Sequence, residues 1–353
     1  MKPIARWFML VMLVSLPACA SSRASSPSTA TKSTDTPRLS FVADRTPWSY
    51  QGRPGWHIRT PSVDLYTTTD DRLLRMRLPD FLELSHAHRL TAITPLRPGD
   101  TSLETYILGT RSEWDSMTRR LLGDRARPYL RIERGGYSAN GKGIFYDLGP
   151  RDTFVMAAHE GWHQYVQTSF ADPLPVWLDE GLACFMEGFR WRIESPDRPE
   201  FLPWSNQERF DQLRSAVGSR GIIPLRDLVN ARPQDLIDTD RGGSAALNYY
   251  AQSWALVHFL NESEGGMRRT GLERLLRDAQ AGRFVDAVRQ AAGEREAGVL
   301  RTRRTGSGSF AAYWPNESIE KLDASFRTFI ARIIATGGRD LAIAGRSPYT
   351  DRE

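Results

Sequence analysis

The chain has 353 residues, of which 40% are hydrophobic and 25% are charged, an ordinary composition for a globular protein. This composition excludes wholesale disorder and fibrous architectures, and the length suits one large domain or two modest ones. The 47 basic and 42 acidic residues leave a net charge of only +5, which argues against a nucleic-acid-binding protein.

The amino-terminal segment has the pattern of an export signal. Lys2 and Arg6 precede an apolar run at residues 7–17 that is too short to span a membrane. Small residues follow this run and complete the pattern of a secretory signal peptide. Residues 1–18 are therefore predicted to be a signal peptide, and the protein is predicted to be exported.

Two ways of processing this signal fit the sequence. The letters LPAC at residues 16–19 resemble a bacterial lipobox, whose cysteine becomes the lipidated first residue of the mature protein. The small residues on either side of Cys19 also match plain signal cleavage. Residues 19–38 are rich in Ser, Thr, Ala and Pro and are predicted to be a disordered tether. Such a tether favours a lipid anchor at Cys19, in the bacterial cell envelope.

Residues 39–150 are predicted to form a mixed α/β part. Short apolar runs between turn residues predict strands at residues 56–60, 106–110, 129–132 and 143–146. The last two strands flank a glycine-rich turn and are expected to pair as a hairpin. The spacing of apolar residues predicts helices at residues 70–89 and 112–122, of which Pro79 is expected to break the first.

Residues 151–335 are predicted to be mainly helical. A strong helix is predicted at residues 153–168, with Asp152 as its N-cap. Further helices are predicted at residues 176–189, 206–217, 245–261, 271–280 and 319–334. Residues 336–353 are rich in Gly and Arg and are predicted to be a frayed tail. The expected fold class is therefore α+β, with the chemistry where the two parts meet.

His159, Glu160 and His163 form an HExxH pattern inside the helix predicted at residues 153–168. Residues four apart lie on one face of a helix, with Cβ atoms about 5–6 Å apart, so both imidazoles can bind the same metal ion. Glu160 is rotated by roughly 100° from His159 and can reach a water molecule beside the ion, which suits a general base. The alternative is a helix with two partly exposed histidines and a salt-bridged glutamate.

A hydrolytic zinc site needs a third protein ligand. Glu180 lies 17 positions after His163, on a second predicted helix that could return antiparallel to the first. Asp179 is adjacent to Glu180 but points to another face of that helix. Glu187, two turns later, is either a surface charge or a group that supports the site.

At these residues the sequence resembles the gluzincins, a class of zinc peptidases. The HExxH pattern followed by Trp-Leu-x-Glu-Gly-x-Ala at residues 177–183 is similar to the peptidase MA-like domain of exported bacterial proteins, many of them lipoproteins. The resemblance is specific over residues 154–185 and extends weakly to residues 248–254. It implies a zincin-like fold, a general base at Glu160, and Zn²⁺ held by His159, His163 and Glu180.

The sequence departs from the branches of this class at two points. It contains no Gly-x-Met-Glu-Asn segment, which grips a substrate amino terminus in the aminopeptidase branch. Cys184 stands where the thermolysin branch has an aspartate that orients a histidine ligand, so the partner of the histidines is not identified. Cys184 itself is expected to be a small buried core residue rather than a thiolate ligand.

The resemblance also implies a hydrogen-bond donor to the oxyanion that develops during hydrolysis. Tyr250, in the helix predicted at residues 245–261, is the candidate by the family pattern. A donor of this kind typically contributes about 2.7–4 kcal/mol to lowering the barrier. The alternative is that Tyr249 and Tyr250 form a packing face, with His258 as a core histidine.

The resulting hypothesis is a zinc-dependent peptidase of the cell envelope that acts on peptides or proteins. The resemblance implies that the strand predicted at residues 143–146 is an edge strand, which would pair with an extended substrate. The alternative is a non-catalytic envelope lipoprotein of zincin fold that serves as a binding or scaffold module. Glu160 counts against this alternative, because a scaffold has no need of a base.

Overall fold

The structure, a computed structural model, describes residues 40–237 and 244–350. The predicted signal peptide, Cys19 and the tether predicted to end at residue 38 lie outside the described residues. Within the described ranges, no helix has the length and apolar character that crossing a membrane requires.

Six strands of the N-terminal half form one mixed sheet. They are β1 (Asp44–Tyr50), β2 (Arg53–Arg59), β3 (Val63–Thr67), β4 (Leu103–Leu108), β5 (Gly136–Ala139) and β6 (Lys142–Tyr146). The spatial order is β1-β2-β3-β4-β6-β5, in which β3, β4 and β6 run parallel and the remaining pairs are antiparallel. Among the described residues, β1 and β5 therefore form the two edges of this sheet.

The rest of the described chain is mainly helical. A two-stranded sheet consists of β7 (Phe189–Trp191) and β8 (Pro199–Phe201). The helices of the described residues are α1 (Arg72–Arg89), α2 (Arg111–Leu122), α3 (Pro150–Ser169), α4 (Val176–Met186), α5 (Gln207–Gly218), α6 (Leu225–Asn230), α7 (Pro233–Ile237), α8 (Ser244–Gly266), α9 (Arg269–Gln280), α10 (Phe284–Ala292), α11 (Glu294–Arg303), α12 (Gly308–Tyr313), α13 (Ile319–Ile333) and α14 (Gly338–Ile343). The expected α+β fold class is confirmed.

The sheet carries helices on both faces, because alternate residues of a strand point to opposite sides. Ile107 and Phe145 belong to the large apolar core that also contains the inner faces of α1 and α3. Leu108 and Ile144 belong to a second core, built around Trp114 of α2. Helix α3 thus lies between the sheet and α4, at the junction of the two halves.

The break predicted at Pro79 is wrong, because α1 runs through this residue. Asp71 caps the helix by accepting a hydrogen bond from the backbone N–H of Leu74 at 2.9 Å. A proline inside a helix removes one backbone hydrogen bond. Leu78 and Phe81, both 0% exposed, flank Pro79 in the core and hold the helix together across it.

The hairpin lies later in the chain than the sequence pattern predicts. The strand predicted at residues 129–132 is instead a short 3-10 turn at Tyr129–Arg131. β5 and β6 pair directly through Asn140 and Gly141, whose φ angles of 55° and 74° make a two-residue turn. β6 is therefore internal, and β5, rather than the strand predicted at residues 143–146, is the edge.

Two helix ends and the tail also differ from expectation. Gly149, not Asp152, is the N-cap of α3, and Asp152 pairs with Arg134 at 2.8 Å. The helix predicted to reach residue 189 ends at Met186, because the chain turns into β7. The predicted frayed tail contains α14 within the described residues, and Tyr349 is only 8% exposed.

Candidate metal centre

Helix α3 places the three motif residues in the protein interior. His159 and Glu160 are 0% exposed and His163 is 3% exposed. The two histidines lie one helical turn apart, and their Nε2 atoms are 3.3 Å from each other. The helix therefore directs two imidazole nitrogens to one side, as the spacing predicts.

Helix α4 packs against α3 and brings Glu180 to the same place. Its Oε2 lies 3.8 Å from Nε2 of His159 and 3.7 Å from Nε2 of His163. This oxygen is buried and has no hydrogen-bond partner within the described chain. Gly181 allows α4 to approach α8 closely, since a Cβ at this position would overlap the backbone carbonyl of Ser253.

The three atoms lie close enough together to share one metal ion. They are 3.3, 3.7 and 3.8 Å apart, and a point equidistant from them lies about 2.1 Å from each, which is the length of a zinc–nitrogen bond. His159, His163 and Glu180 could therefore hold a metal ion. The donor set of two imidazoles and one carboxylate leaves a fourth position for water or substrate.

A carboxylate contacts the far nitrogen of each histidine. Glu187 Oε1 lies 2.7 Å from Nδ1 of His159, and Asp179 Oδ1 lies 3.0 Å from Nδ1 of His163. Partners of this kind fix the ring orientation and leave Nε2 free for a metal. The histidine partners that the sequence left unidentified are thus Glu187 and Asp179, and Glu187 is a supporting group rather than a surface charge.

An arginine holds each of these carboxylates. Arg209, 0% exposed, donates from Nη2 to Glu187 Oε1 at 2.9 Å and from Nε to Glu187 Oε2 at 3.2 Å. Arg304 donates from Nη2 to Asp179 Oδ2, and Nε1 of Trp162 donates to Asp179 Oδ1 at 3.0 Å. Burial favours the neutral acid at both positions, but these positive charges outweigh it. The pKa of Glu187 is lowered to about 2, and that of Asp179 falls well below its usual range.

A second set of potential ligands, His159, Cys184 and Glu187, lies on the other side of the His159 ring. Both oxygens of Glu187 already accept hydrogen bonds, from Arg209 and, at 2.6 Å, from Nδ2 of Asn206. Burial raises the pKa of the Cys184 thiol well above its usual value, so the thiolate is disfavoured. This group is therefore a hydrogen-bonded support, and Cys184 is a buried core residue.

Glu160 is fixed by the edge strand. Ser138 of β5 donates from Oγ to Glu160 Oε2 at 2.8 Å, while Glu160 Oε1 is buried without a partner in the described residues. Burial raises the pKa of Glu160 to about 7 and that of Glu180 to about 8. A divalent cation held by His159, His163 and Glu180 would offset the cost of burying these carboxylates.

The two histidines differ in their electrostatic surroundings. Burial lowers the pKa of His159 to about 4 despite its contact with Glu187. Burial alone would also lower the pKa of His163, but the charges of Asp179 and Glu180 raise it to about 9. The two carboxylates therefore make the surroundings of His163 negative, which favours a cation beside this ring.

The tyrosine pair lies in α8, which packs against α4. Tyr250 is 1% exposed, and its ring centre is 5.4 Å from the guanidinium carbon of Arg209. Burial, and after it the charge of Glu180, raises the pKa of Tyr250 well above its usual value. The role of Tyr250 as an oxyanion donor stays a prediction. His258 stacks on Trp204, with ring centres 3.8 Å apart, in an aromatic cluster.

In a comparison with known proteins, part of the chain matches one protein family, and the description of this family gives no activity. Residues 154–277 match a family described as "Protein of unknown function (DUF1570)". This stretch contains the HExxH motif and Glu180 but ends before Arg304. No curated protein and no solved structure matches the chain.

Proposed function

We propose that this protein is a zinc-dependent peptidase, in which His159, His163 and Glu180 hold the metal and Glu160 is the general base. The observation that carries the proposal is the common point, about 2.1 Å from three donor atoms on two helices. Two imidazoles and a carboxylate form a donor set typical of catalytic zinc. When bound, zinc lowers the pKa of a water molecule and polarises a carbonyl group.

Glu160 has the contacts of a positioned base. Ser138 anchors Oε2 at 2.8 Å, which leaves Oε1, without a partner in the described chain, to accept a proton. Glu160 follows His159 directly in α3 and is rotated by roughly 100° from it, so its carboxylate is not one of the three donors. The same carboxylate can then pass the proton to the leaving amine.

The edge strand supports a peptide as the substrate. Ala139 and Lys142 flank the two-residue turn and form its hydrogen-bonded pair, so the backbone groups of Ser138 point away from β6. The carbonyl of Ser138 accepts a hydrogen bond from Nε2 of Gln167 at 3.1 Å, and Ser138 is only 3% exposed, so neighbouring residues must move before a peptide can pair with β5. An extended peptide that pairs with β5 would lie next to the residue that anchors Glu160.

Substitution of Glu160 by Gln tests this proposal. We expect zinc to be retained, because the three ligands are unchanged, and hydrolysis to fall by about 10²–10⁴-fold, the usual contribution of a general base. Zinc content is measured by mass spectrometry, and cleavage of casein is followed with and without a chelator. Full activity of the variant would show that Glu160 is not the base. A wild-type protein that binds no zinc would show that the three residues do not form a zinc site.

The near-complete burial of the four side chains, between 0% and 4% exposed, favours one alternative. A non-catalytic envelope module would use the same ligands for a structural metal, since structural sites are closed to solvent. Against this alternative, Glu160 has a buried carboxyl oxygen without a hydrogen-bond partner in the described residues, which lowers the stability of the fold. A module without catalytic activity would have no use for such a group. A wild-type protein that binds zinc tightly but leaves casein intact would support the module.

The proposed location is the bacterial cell envelope, with a lipid anchor on Cys19. This part of the proposal rests on the pattern of residues 1–38 alone. Metabolic labelling with palmitate tests it, because substitution of Cys19 by Ser removes the labelled thiol.

A further inference from the structure

Arg304 contacts the candidate metal centre from a distant part of the chain. It follows α11 directly, 125 positions after Asp179. Its Nη2 donates to Asp179 Oδ2, and its Nε donates to the backbone carbonyl of Leu174 at 2.7 Å. Its own carbonyl accepts a hydrogen bond from the backbone N–H of Val176, the first residue of α4, at 2.8 Å. A single residue thus holds the start of α4 by backbone and side chain.

The backbone of Arg304 is left-handed, with φ 57° and ψ 34°. This conformation is unfavourable for residues with a Cβ, and glycine is the usual residue at this position after a helix. Unfavourable backbone conformations persist where the surrounding structure requires them, often beside functional sites. Here the left-handed turn lets the carbonyl and the guanidinium of one residue both reach the α4 segment.

The contacts of Asp179 divide between its two oxygens. Oδ1 faces Nδ1 of His163 and Nε1 of Trp162, each at 3.0 Å, while Oδ2 faces Arg304. Both side chains of the ion pair are largely buried, with exposed fractions of 9% for Asp179 and 14% for Arg304. Donors on both oxygens prevent the carboxylate from rotating, and the carboxylate in turn fixes the His163 ring.

We propose that Arg304 is a positioning residue of the metal centre, which acts on His163 through Asp179. This inference rests on the proposed function only in so far as His163 binds a metal. Without the guanidinium, Asp179 Oδ2 loses its charged partner and the carboxylate is free to turn. The His163 ring is then less well oriented, and the affinity for the metal falls. The centre therefore depends on a residue outside the stretch matched by the family model.

The substitution Arg304→Gly removes the guanidinium but keeps the backbone conformation, so it tests the role of the side chain alone. Glycine adopts positive φ without strain, so the backbone bond to Val176 is expected to persist. We expect the zinc affinity to fall about tenfold or more, in the range seen when partners of ligand histidines are changed. The affinity is measured by competition with a chromogenic chelator, and the visible spectrum of the cobalt-substituted protein reports the ligand geometry.

Arg220 offers a matched control. It is also an arginine with positive φ, 56°, after the end of α5, but it is exposed and forms no ion pair with the described residues. Arg220→Gly removes the same side chain from the same backbone conformation. We expect its zinc affinity and cobalt spectrum to equal those of the wild type.

Two further measurements exclude a purely structural role. Thermal unfolding of the metal-free variants shows whether Arg304→Gly merely destabilises the fold. In a double-mutant cycle with Asp179→Asn, the two losses of zinc affinity should not add, since Arg304 acts through Asp179. Wild-type zinc affinity in Arg304→Gly, or additive losses, would overturn the inference. A wild type that binds zinc without cleaving casein overturns only the peptidase function, and one that binds no zinc overturns both.

Discussion

Glu187 and Asp179 each touch a motif histidine on one side and an arginine on the other. The spacing of His159 and His163 on one helix predicts that their rings lie on the same side, whereas Glu180 was predicted as the third donor from the resemblance to the gluzincins. The sequence does not predict the arginines, which come from α5 and from the residue after α11. The position of Glu187, two helical turns after Glu180, indicated in the sequence that it could face the site. The contact of Asp179 with His163 could not be predicted, because it depends on how α4 crosses α3.

Ser138 was also missed, because nothing in the sequence near it indicates catalysis. Its hydroxyl donates to Glu160 Oε2, so Ser138→Ala leaves the proposed base without its anchor. We expect kcat on a peptide substrate to fall about ten- to hundredfold, since a hydrogen bond to a charged group contributes about 1.5–3 kcal/mol. KM should change little, because the backbone of β5 is untouched. Steady-state kinetics with a fluorogenic peptide, at saturating zinc, provide the measurement.

Ser62 provides the control for this prediction. Ser62, just before β3, donates from Oγ to Oε1 of Glu83 in α1 at 2.7 Å. This is a serine–glutamate hydrogen bond similar to that of Ser138 and Glu160. Ser62→Ala should change stability without changing kcat. An equal loss of kcat in both variants would show that Ser138 acts on the fold rather than on Glu160.

Among the secondary-structure elements, the long amphipathic helices were the most predictable. α2, α5, α9 and α13 lie within a few residues of the predicted ranges, because a buried stripe with helical spacing is visible in the sequence. The short strand β5 was not predicted, since Gly136–Ala139 has no alternation of apolar residues. Its signal was the Asn140-Gly141 dipeptide, which is typical of a two-residue hairpin turn. Some short elements, such as α6 and β8, were not predicted and are set by their packing partners.

The contact between α4 and α8 makes Gly181→Ala a test of how helix packing positions Glu180. An added Cβ would overlap the carbonyl of Ser253 and approach Val257 Cγ2 at 2.8 Å, so the helices must separate. We expect a destabilisation of about 1–3 kcal/mol, as for overpacked cores, together with weaker zinc binding. Urea unfolding of the metal-free protein and chelator competition measure the two effects.

Gly298→Ala is the corresponding control, because a Cβ at this position in α11 meets nothing within 4 Å. A glycine inside a helix costs up to about 1 kcal/mol relative to alanine. This variant should therefore be slightly more stable and should keep its zinc affinity. If both alanine variants bind zinc equally well, helix spacing does not determine the position of Glu180.

The whole molecule has a predictable response to acid. Burial lowers the pKa of His86 and His88, both in α1, to about 4 from the ordinary value of 6.5. Between pH 6.5 and 4 these two rings bind protons in the unfolded chain but not in the folded protein, so their contribution to stability falls as the pH falls through this window. The raised pKa values of Glu160 and Glu180 act in the opposite sense. The histidines of the metal centre titrate as well, so the test must compare a variant with the wild type.

His88→Phe isolates one of these histidines. The ring of His88 stacks on Phe201, with centres 4.8 Å apart and planes at 9°, and phenylalanine can keep this contact. Between pH 7 and pH 5 the variant should lose about 1–2 kcal/mol less stability than the wild type. The free energy of unfolding is measured by urea titration in chelator at both pH values. Equal pH dependence would mean that His88 is accessible to protons in the folded state.

The donors and supports of the centre are scattered from Ser138 in β5 to Arg304 after α11. These residues are far apart in the sequence and meet only when the long loops between them close, which slows folding. Under the proposed function, a chain that ends at residue 300 contains all three ligands but lacks Arg304, so we expect it to bind zinc about tenfold more weakly than the full chain.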